Sequence, residues 1–219
     1  MSVFCEKSKY ALKPAIKIQL ALFIGFVKIF FMQNEKESSL KNKKIALGVC
    51  SSIAIYKSAE LTSRLVKLGA DVSVVMTENA SKLMSPRIFQ TLSRNRVCVS
   101  MWEEISDWKP EHISLAESID LLLVAPATAN AIGNFANGIA PDMLSTLYLA
   151  TKAKVLIAPA MNCDMYSHPA VQKNMKTLEE RGVEFVETQT GMLACGRVGA
   201  GKLADVDEII KRAEEVLSK

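Results

Sequence analysis

The sequence has few of the residues that build metal centres, disulfide frameworks or zinc-dependent nucleic-acid modules. It contains two histidines and five cysteines, and no two cysteines form a CxxC pair. This spacing offers no metal-ligand cluster, and we expect no bound metal. The cysteine usage does not fit a secreted disulfide scaffold either, and favours thiols kept reduced in the cytoplasm. Internal repeats and low-complexity tracts are also absent.

The net charge of +4 does not describe the larger part of the chain. Residues 1–44 hold nine Lys and three Glu, whereas the remainder holds 18 basic and 20 acidic residues, a net charge of −2. A nucleic-acid-binding domain needs a clustered Lys/Arg face or a recognised RNA- or DNA-binding motif, and the sequence shows neither. We therefore expect no nucleic-acid partner. A length of 219 residues with 49% hydrophobic content suits one domain of ordinary size.

The N-terminal segment needs a separate interpretation. Residues 15–31 are apolar but are interrupted by two lysines and a glutamine, and the run is shorter than the roughly 20 apolar residues of a membrane helix. No small-x-small cleavage site follows it. We expect an extension at residues 1–42, either disordered or produced by a misassigned start with Met32 as the true one, followed by one domain at 43–219. A membrane-associating or targeting helix is the alternative that the sequence leaves open.

From residue 43, short runs rich in Val, Ile and Leu alternate with helical patterns, which is typical of βαβ units. The predicted fold is α/β, a Rossmann-like (flavodoxin-like) three-layer sandwich around a central parallel sheet. The predicted strands are 44–49, 71–76, 121–125, 154–158 and 183–186. The predicted helical stretches are 53–68, 81–93, the region from 127 to 150, 169–181 and 206–217.

Three predicted strands end in hydroxyl or amide side chains immediately before a helix. Cys50, Ser51 and Ser52 follow the first strand, where backbone N–H groups and two hydroxyls form an anion site. Simple N-capping by the serines is the alternative. The segment lacks the G-x-G-x-x-G of dinucleotide sites, so we expect a single phosphate. The other residues at strand ends are Thr77, Thr128, Ala129 and Asn130.

The loop 159–166, with the sequence PAMNCDMY, follows the fourth predicted strand. Two methionines, an asparagine and an aromatic ring suit a flat, partly apolar ligand at the carboxyl end of a sheet. Taken alone, the octapeptide also fits an ordinary strand-to-helix connection with buried methionine. Its weight depends on the rest of the chain.

The segment 196–203, GRVGAGKL, resembles the phosphate-binding loop of nucleotide hydrolases. The match fails at Leu203, where a Ser or Thr hydroxyl is needed for Mg²⁺, and the segment does not join an early strand to a helix. We interpret its glycines as a mobile flap that closes over a site.

His112 and Cys195 are candidates for proton transfer. Histidine is the usual proton handler near neutral pH, although a surface histidine near a helix start explains His112 as simply. Cys195 lies among the glycines of the proposed flap, where it is either a gated acid or thiolate or a small buried hydrophobe.

Together these segments resemble the homo-oligomeric flavin-containing cysteine decarboxylases, over residues 43–217. The resemblance implies decarboxylation of 4′-phosphopantothenoylcysteine to 4′-phosphopantetheine in coenzyme A biosynthesis, through a thioaldehyde and an enethiol. The segments that carry it are 48–57 (GVCSSIAIYK), 112–115 (HISL), 125–130 (APATAN), 159–166 (PAMNCDMY) and 194–201 (ACGRVGAG).

The resemblance also implies a cofactor, FMN, bound at a subunit interface of a homotrimer or a larger trimer-based assembly. It assigns His112 to thiol oxidation and proton handling, Asn162 to the substrate carboxylate and Cys195 to proton donation. The implied flavin contacts are Cys50, Ser51, Ser52, Thr77, Thr128, Ala129, Asn130, Ala160 and Met161.

The chain departs from the family at a few positions. The family often has glycines at the positions of Ser51 and Ser52, a departure that leaves the phosphate donors intact. It also often has Arg-Met at Lys202 and Leu203, and this second departure puts the flap contacts in doubt. Without a fused synthetase domain, we expect a free-standing cytoplasmic enzyme. The alternatives are a peptidyl-cysteine decarboxylase and a non-enzymatic FMN-binding regulatory subunit.

Overall fold

In the computed structural model, which describes residues 38–102, 111–192 and 196–219, six parallel strands form the central sheet. Their order is β3-β2-β1-β4-β5-β6, the order of doubly wound dinucleotide-binding sheets. The predicted α/β fold class is therefore confirmed. The strands are β1 (Lys44–Val49), β2 (Asp71–Met76), β3 (Val97–Cys98), β4 (Leu121–Ala127), β5 (Lys154–Pro159) and β6 (Glu184–Phe185).

Helices cover both faces of this sheet and an antiparallel hairpin follows it. The helices are α1 (Ile55–Lys67), α2 (Glu78–Leu83), α3 (Pro86–Ser93), α4 (Glu111–Ser118), α5 (Ala129–Asn137), α6 (Met143–Ala150), α7 (Cys163–Ser167), α8 (Pro169–Glu180) and α9 (Val206–Ser218). The hairpin consists of β7 (Gln189–Met192) and β8 (Val198–Lys202).

Alternate side chains of the central strands enter two separate hydrophobic clusters. Ile45 and Leu47 of β1 lie in a cluster with residues of α1 and α9, whereas Ala46 lies in a second cluster with residues of α5 and α6. Because successive strand residues point to opposite faces, a sheet covered on both sides reads as a continuous apolar run. This explains why β1 and β2 coincide with the predicted 44–49 and 71–76.

Two predicted helical stretches are each divided in the structure. The stretch 81–93 separates into α2 and α3 because Ser85 caps a new helix that has Pro86 in its first turn. The second stretch separates because Gly138 ends α5 in the left-handed conformation and Asp142 begins α6 with a capping box. Strand β3, two residues long, was not predicted.

The described residues of the N-terminal region are 38–42. Leu40 is fully buried in the first hydrophobic cluster, and residues 39–219 form a compact unit. The predicted alternatives for residues 1–37 lie outside the described residues. Within the part that the structure describes, no helix is long and apolar enough to cross a membrane.

Candidate active site

The strand order places a crevice between the carboxyl ends of β1 and β4. These strands are neighbours, yet α1, which follows β1, and α5, which follows β4, pack on opposite faces of the sheet. The connections after these two adjacent strands turn to opposite faces of the sheet, and this leaves a gap at the strand ends. Ligands of such sheets bind in this gap. The segments after the two strands are those predicted to hold a phosphate.

A cavity of about 250 Å³ lies at this position. Four predicted contacts line it: Ser51, Thr77, Thr128 and Asn130. They come from the ends of three strands, which the structure brings together at one cavity, and their contact with a flavin stays a prediction. Further lining residues that the sequence did not single out are Glu78, Asn79, Ala131, Asn134, Phe135, Pro141, Asp142, Leu144 and Ser145.

Two of the lining hydroxyls begin helices. The Thr77 oxygen accepts a hydrogen bond from the Ala80 N–H at 3.2 Å, and the Thr128 oxygen accepts one from the Ala131 N–H at 3.3 Å. Ser51 is exposed, and its hydroxyl makes no hydrogen bond with any other described residue. Capping was the alternative for the serines, and no side chain caps α1. The Ser52 hydroxyl accepts a hydrogen bond from the Ala54 N–H at 3.4 Å, whereas Ser51 lines the cavity.

The described lining of the cavity includes two carboxylates, Glu78 and Asp142, and no lysine or arginine. An anion bound here would therefore be held by hydroxyl and backbone N–H groups at helix N-termini. Asp142 is engaged locally, because its carboxylate accepts hydrogen bonds from the N–H and the hydroxyl of Ser145 at 2.8 and 2.6 Å. Its signal in the sequence is the Asp-x-x-Ser capping pattern at the start of α6.

Cys50 lies behind the cavity wall. Its side chain is 1% exposed, its N–H donates to the Pro126 carbonyl at 3.2 Å, and it does not line the cavity. Burial raises the pKa of the Cys50 thiol to about 12, and the negative charge of Asp142 adds to this, while contacts with Thr128 act in the opposite direction. The thiol is therefore neutral at physiological pH, and its flavin contact stays a prediction.

The loop after β5 carries the predicted residues Ala160, Met161 and Asn162, and backbone hydrogen bonds fix the first two. Ala160 is buried and its N–H donates to the Ala127 carbonyl at 2.9 Å, which ties the loop to β4. The half-buried Met161 donates its N–H to the Gly201 carbonyl at 2.9 Å. These contacts hold the loop beside the crevice, where the sequence placed it.

Asn162 begins α7, and this contact fixes the direction of its amide. Its Oδ1 accepts a hydrogen bond from the Asp164 N–H at 2.9 Å. Because a backbone N–H can only donate, the group that faces the helix is the amide oxygen, and the NH₂ group is the donor side of the amide. An NH₂ donor suits a carboxylate, which only accepts.

The β7–β8 hairpin lies against this loop through glycines. A Cβ at Gly201 would come within 2.6 Å of the Met161 carbonyl oxygen, and one at Gly199 within 2.7 Å of the Cys163 Cβ. Gly201 also has a φ of +106°, which disfavours other residues. Close packing against the loop therefore explains why glycine stands at both positions, whether or not the hairpin moves. The strand conformation of residues 198–202 also agrees with the rejection of a phosphate-binding loop.

Of the two candidates for proton transfer, only His112 is among the described residues. His112 is half-buried on α4, which packs against α6, and it does not line the cavity. Cys195 lies outside the described residues. The roles of both residues stay predictions.

The comparisons with known proteins agree with this geometry. The family model described as Flavoprotein matches residues 33–218. The chain is 49% identical over 176 residues to the coenzyme A biosynthesis bifunctional protein CoaBC of Bacillus subtilis (strain 168), a match that covers 80% of this chain and 43% of that protein. It is 42% identical over 177 residues to the probable phosphopantothenoylcysteine decarboxylase of Streptococcus mutans, covering 80% and 99% respectively.

Among solved structures, the FMN-dependent cysteine decarboxylase SpaF superposes with a TM-score of 0.71 at 31% identity, covering 82% of this chain and 99% of that one. The chain thus spans less than half of the bifunctional relative and nearly all of the other two. The resemblance seen in the sequence is confirmed, and the chain belongs to the Flavoprotein family.

Proposed function

We propose that this protein is an FMN-dependent decarboxylase that converts 4′-phosphopantothenoylcysteine to 4′-phosphopantetheine. The observation that carries the proposal is the placement of Asn162, whose Oδ1 faces α7, on the loop after β5. This strand is the neighbour of β4, at whose end the crevice with Ser51, Thr77 and Thr128 lies. A carboxylate-binding group beside a phosphate-binding crevice matches a cofactor with one phosphate and a substrate that loses CO₂. The relatives at 49% and 42% identity support this choice of substrate.

The residues present fit the phosphate of FMN. Ser51 offers an exposed hydroxyl, and Ala129 and Asn130 begin α5, where the first backbone N–H groups of a helix lack partners within it. Glu78 and Asp142 border the same cavity, which disfavours further phosphates by charge repulsion. When bound, FMN would accept a hydride from the cysteine end of the substrate and later return it, so that no net oxidation results.

The chain itself supplies binding and proton transfer. The Asn162 NH₂ group donates to the substrate carboxylate and holds it in place until CO₂ leaves. His112 takes the thiol proton, and Cys195 supplies a proton in the final reduction. The neutral Cys50 thiol takes no proton-transfer role, because at about 12 its pKa is too high for exchange near pH 7.

One copy of the chain accounts for only part of such a site. The cavity of about 250 Å³ is smaller than the roughly 300–1,000 Å³ of sites that enclose a drug-sized ligand. His112 also does not reach it. We therefore propose that a neighbouring copy completes the site, with the flavin between subunits. The family resemblance favours a homotrimer or a larger trimer-based assembly.

The experiment is a substrate assay on purified, FMN-loaded protein. It should release CO₂ from phosphopantothenoylcysteine and form phosphopantetheine. A flavin-loaded preparation that releases no CO₂ from phosphopantothenoylcysteine would reject this substrate, and one that also releases none from a peptide with a C-terminal cysteine would favour the regulatory-subunit alternative.

A second candidate is a decarboxylase that acts on another cysteine compound, because SpaF, 31% identical over 99% of its own chain, is named only as an FMN-dependent cysteine decarboxylase. A peptide with a C-terminal cysteine tests it directly. We expect a much lower kcat/KM for the peptide than for phosphopantothenoylcysteine. The reverse order would identify a peptidyl-cysteine decarboxylase.

A further inference from the structure

The segment 197–201, which includes most of β8, contacts the segment 161–164 at the start of α7 in three places. The Gly201 carbonyl accepts from the Met161 N–H, Gly199 lies directly on Cys163, and Arg197 forms an ion pair with Asp164. The first contact is a backbone hydrogen bond. In the second, the Cys163 side chain leaves no room for a Cβ at Gly199. The third is the only one of these three that depends on charge.

The charged contact is also the outermost of the three. The side chains of Arg197 and Asp164 are 60% and 68% exposed, so water and salt weaken their attraction. The two glycine contacts fix the inner part of β8. The ion pair therefore adds a charge-dependent contact between the residue before β8 and α7.

Asp164 also contacts the candidate site directly. Its backbone N–H donates to Asn162 Oδ1 at 2.9 Å, and this hydrogen bond sets the direction of the amide. A movement of the first turn of α7 would shift this N–H and, with it, the Asn162 NH₂ group. The same residue thus connects the hairpin to the proposed carboxylate-binding group.

We propose that Arg197 and Asp164 are a positioning pair that holds β8 against the first turn of α7 and thereby keeps the Asn162 amide oriented. Neither residue is catalytic, because both act through Asn162. Their effect on turnover rests on the proposed decarboxylase function. Their effect on the hairpin does not.

Hydrogen exchange of the β7–β8 amides in the flavin-loaded protein measures the contact itself. Arg197→Gln and Asp164→Asn should each speed exchange in this hairpin about two- to fivefold, the range typical of exposed ion pairs, and the double variant should be no faster than either single one. Arg197→Lys keeps the cation and should behave like the parent protein. Unchanged exchange in Arg197→Gln, or a double variant whose effect is the product of the two single effects, overturns the proposal.

Turnover measures the consequence. The kcat/KM of Arg197→Gln should fall about two- to fivefold at low salt, and the difference should shrink in about 1 M salt, where the screening length is roughly 3 Å. A purely structural defect would not depend on salt in this way, and a salt-independent loss overturns the positioning role.

Arg64→Gln is the matched control, since it removes an exposed Arg–Asp pair between α1 and α9 that does not contact the hairpin. It should leave both the exchange of the hairpin and kcat/KM unchanged. The two proposals can fail separately. If the parent protein binds flavin but releases no CO₂, and Arg197→Gln still speeds hydrogen exchange in the hairpin, the positioning pair is supported and the decarboxylase function is rejected.

Discussion

At the scale of single residues, Asn162 uses the two ends of one amide for two purposes. Its oxygen caps α7, and its NH₂ group is proposed to hold the substrate carboxylate. Asn162→Asp separates these roles, because aspartate is as good an N-cap as asparagine but places a negative charge against the carboxylate. We expect kcat/KM to fall about 10- to 100-fold, the effect of losing a hydrogen bond to a charged group, with flavin binding and melting temperature retained.

Asn137→Asp is the control for this change. Asn137 is exposed at the end of α5, where its amide donates to the Gly133 carbonyl, away from the crevice. The Asn137→Asp variant should keep full activity. Equal activity of Asn162→Asp and the parent protein would remove Asn162 from the site.

The buried thiol of Cys50 gives the second prediction at this scale. With a pKa raised to about 12 by burial, the folded protein keeps the proton above pH 9, where the unfolded chain begins to lose it. The free energy of unfolding should therefore fall as pH rises from about 9 to 12, since the unfolded state binds fewer protons there. Denaturant titrations should show a flatter pH dependence in Cys50→Ala, even though the smaller side chain lowers its baseline stability.

Val49→Ala is the comparison, because it shortens a fully buried side chain next to Cys50 without removing a titratable group. Its pH dependence between about 9 and 12 should match that of the parent protein. A Cys50→Ala curve parallel to the parent curve would show that the Cys50 thiol titrates normally.

At the scale of elements, the hairpin and the asparagine loop form one packed unit. Gly201→Ala would place a methyl group 2.6 Å from the Met161 carbonyl oxygen at a residue whose φ is +106°. We expect the variant to lose about 1–3 kcal/mol of stability and to lose activity, because the loop that carries Asn162 must move. Thermal unfolding and the CO₂ assay measure the two effects.

Gly191→Ala is the matched control in the same hairpin. An added Cβ there lies 3.7 Å from the nearest atom, which is ordinary contact. It should leave stability within about 0.5 kcal/mol of the parent protein. Similar losses in both variants would show that the hairpin tolerates no side chain anywhere, and that the contact with Met161 has no special weight.

The sequence predicted those elements whose pattern is local. Strands β1 and β2 lie within long apolar runs, and α9 has a buried stripe at helical spacing. The two-residue β3 was missed because so short a strand has no periodicity of its own. The hairpin was interpreted as a flap because glycine in sequence shows only freedom of φ, whereas its contact with Met161 depends on tertiary packing.

The same division holds for the candidate site. Ser51, Thr77 and Thr128 were predictable because each directly follows a buried strand, and parallel strands end at one edge. Asp142 and Ser145 lie far along the chain and reach the cavity only through the packing of α6. The ion pair of Arg197 with Asp164 joins two segments that carry no mutual signal in the sequence.

At the scale of the whole molecule, the proposed assembly predicts complementation between impaired variants. If His112 and Asn162 of one site come from different copies, co-expressed His112→Ala and Asn162→Asp chains should regain about a quarter of the parent activity, because random mixing leaves that share of interfaces intact. The oligomer is isolated before the assay, and each variant alone should keep no more than about a tenth of the parent activity, in line with the 10- to 100-fold loss expected for Asn162→Asp. No recovery from isolated mixed oligomers would mean that one copy supplies both residues.

The most direct measurement is the conversion of phosphopantothenoylcysteine by the purified, FMN-loaded chain, followed by mass spectrometry of substrate and product and by detection of CO₂. The account predicts stoichiometric CO₂ and phosphopantetheine, with no external oxidant consumed and a loss of activity in Asn162→Asp. Flavin-loaded parent protein that leaves phosphopantothenoylcysteine unchanged would contradict it.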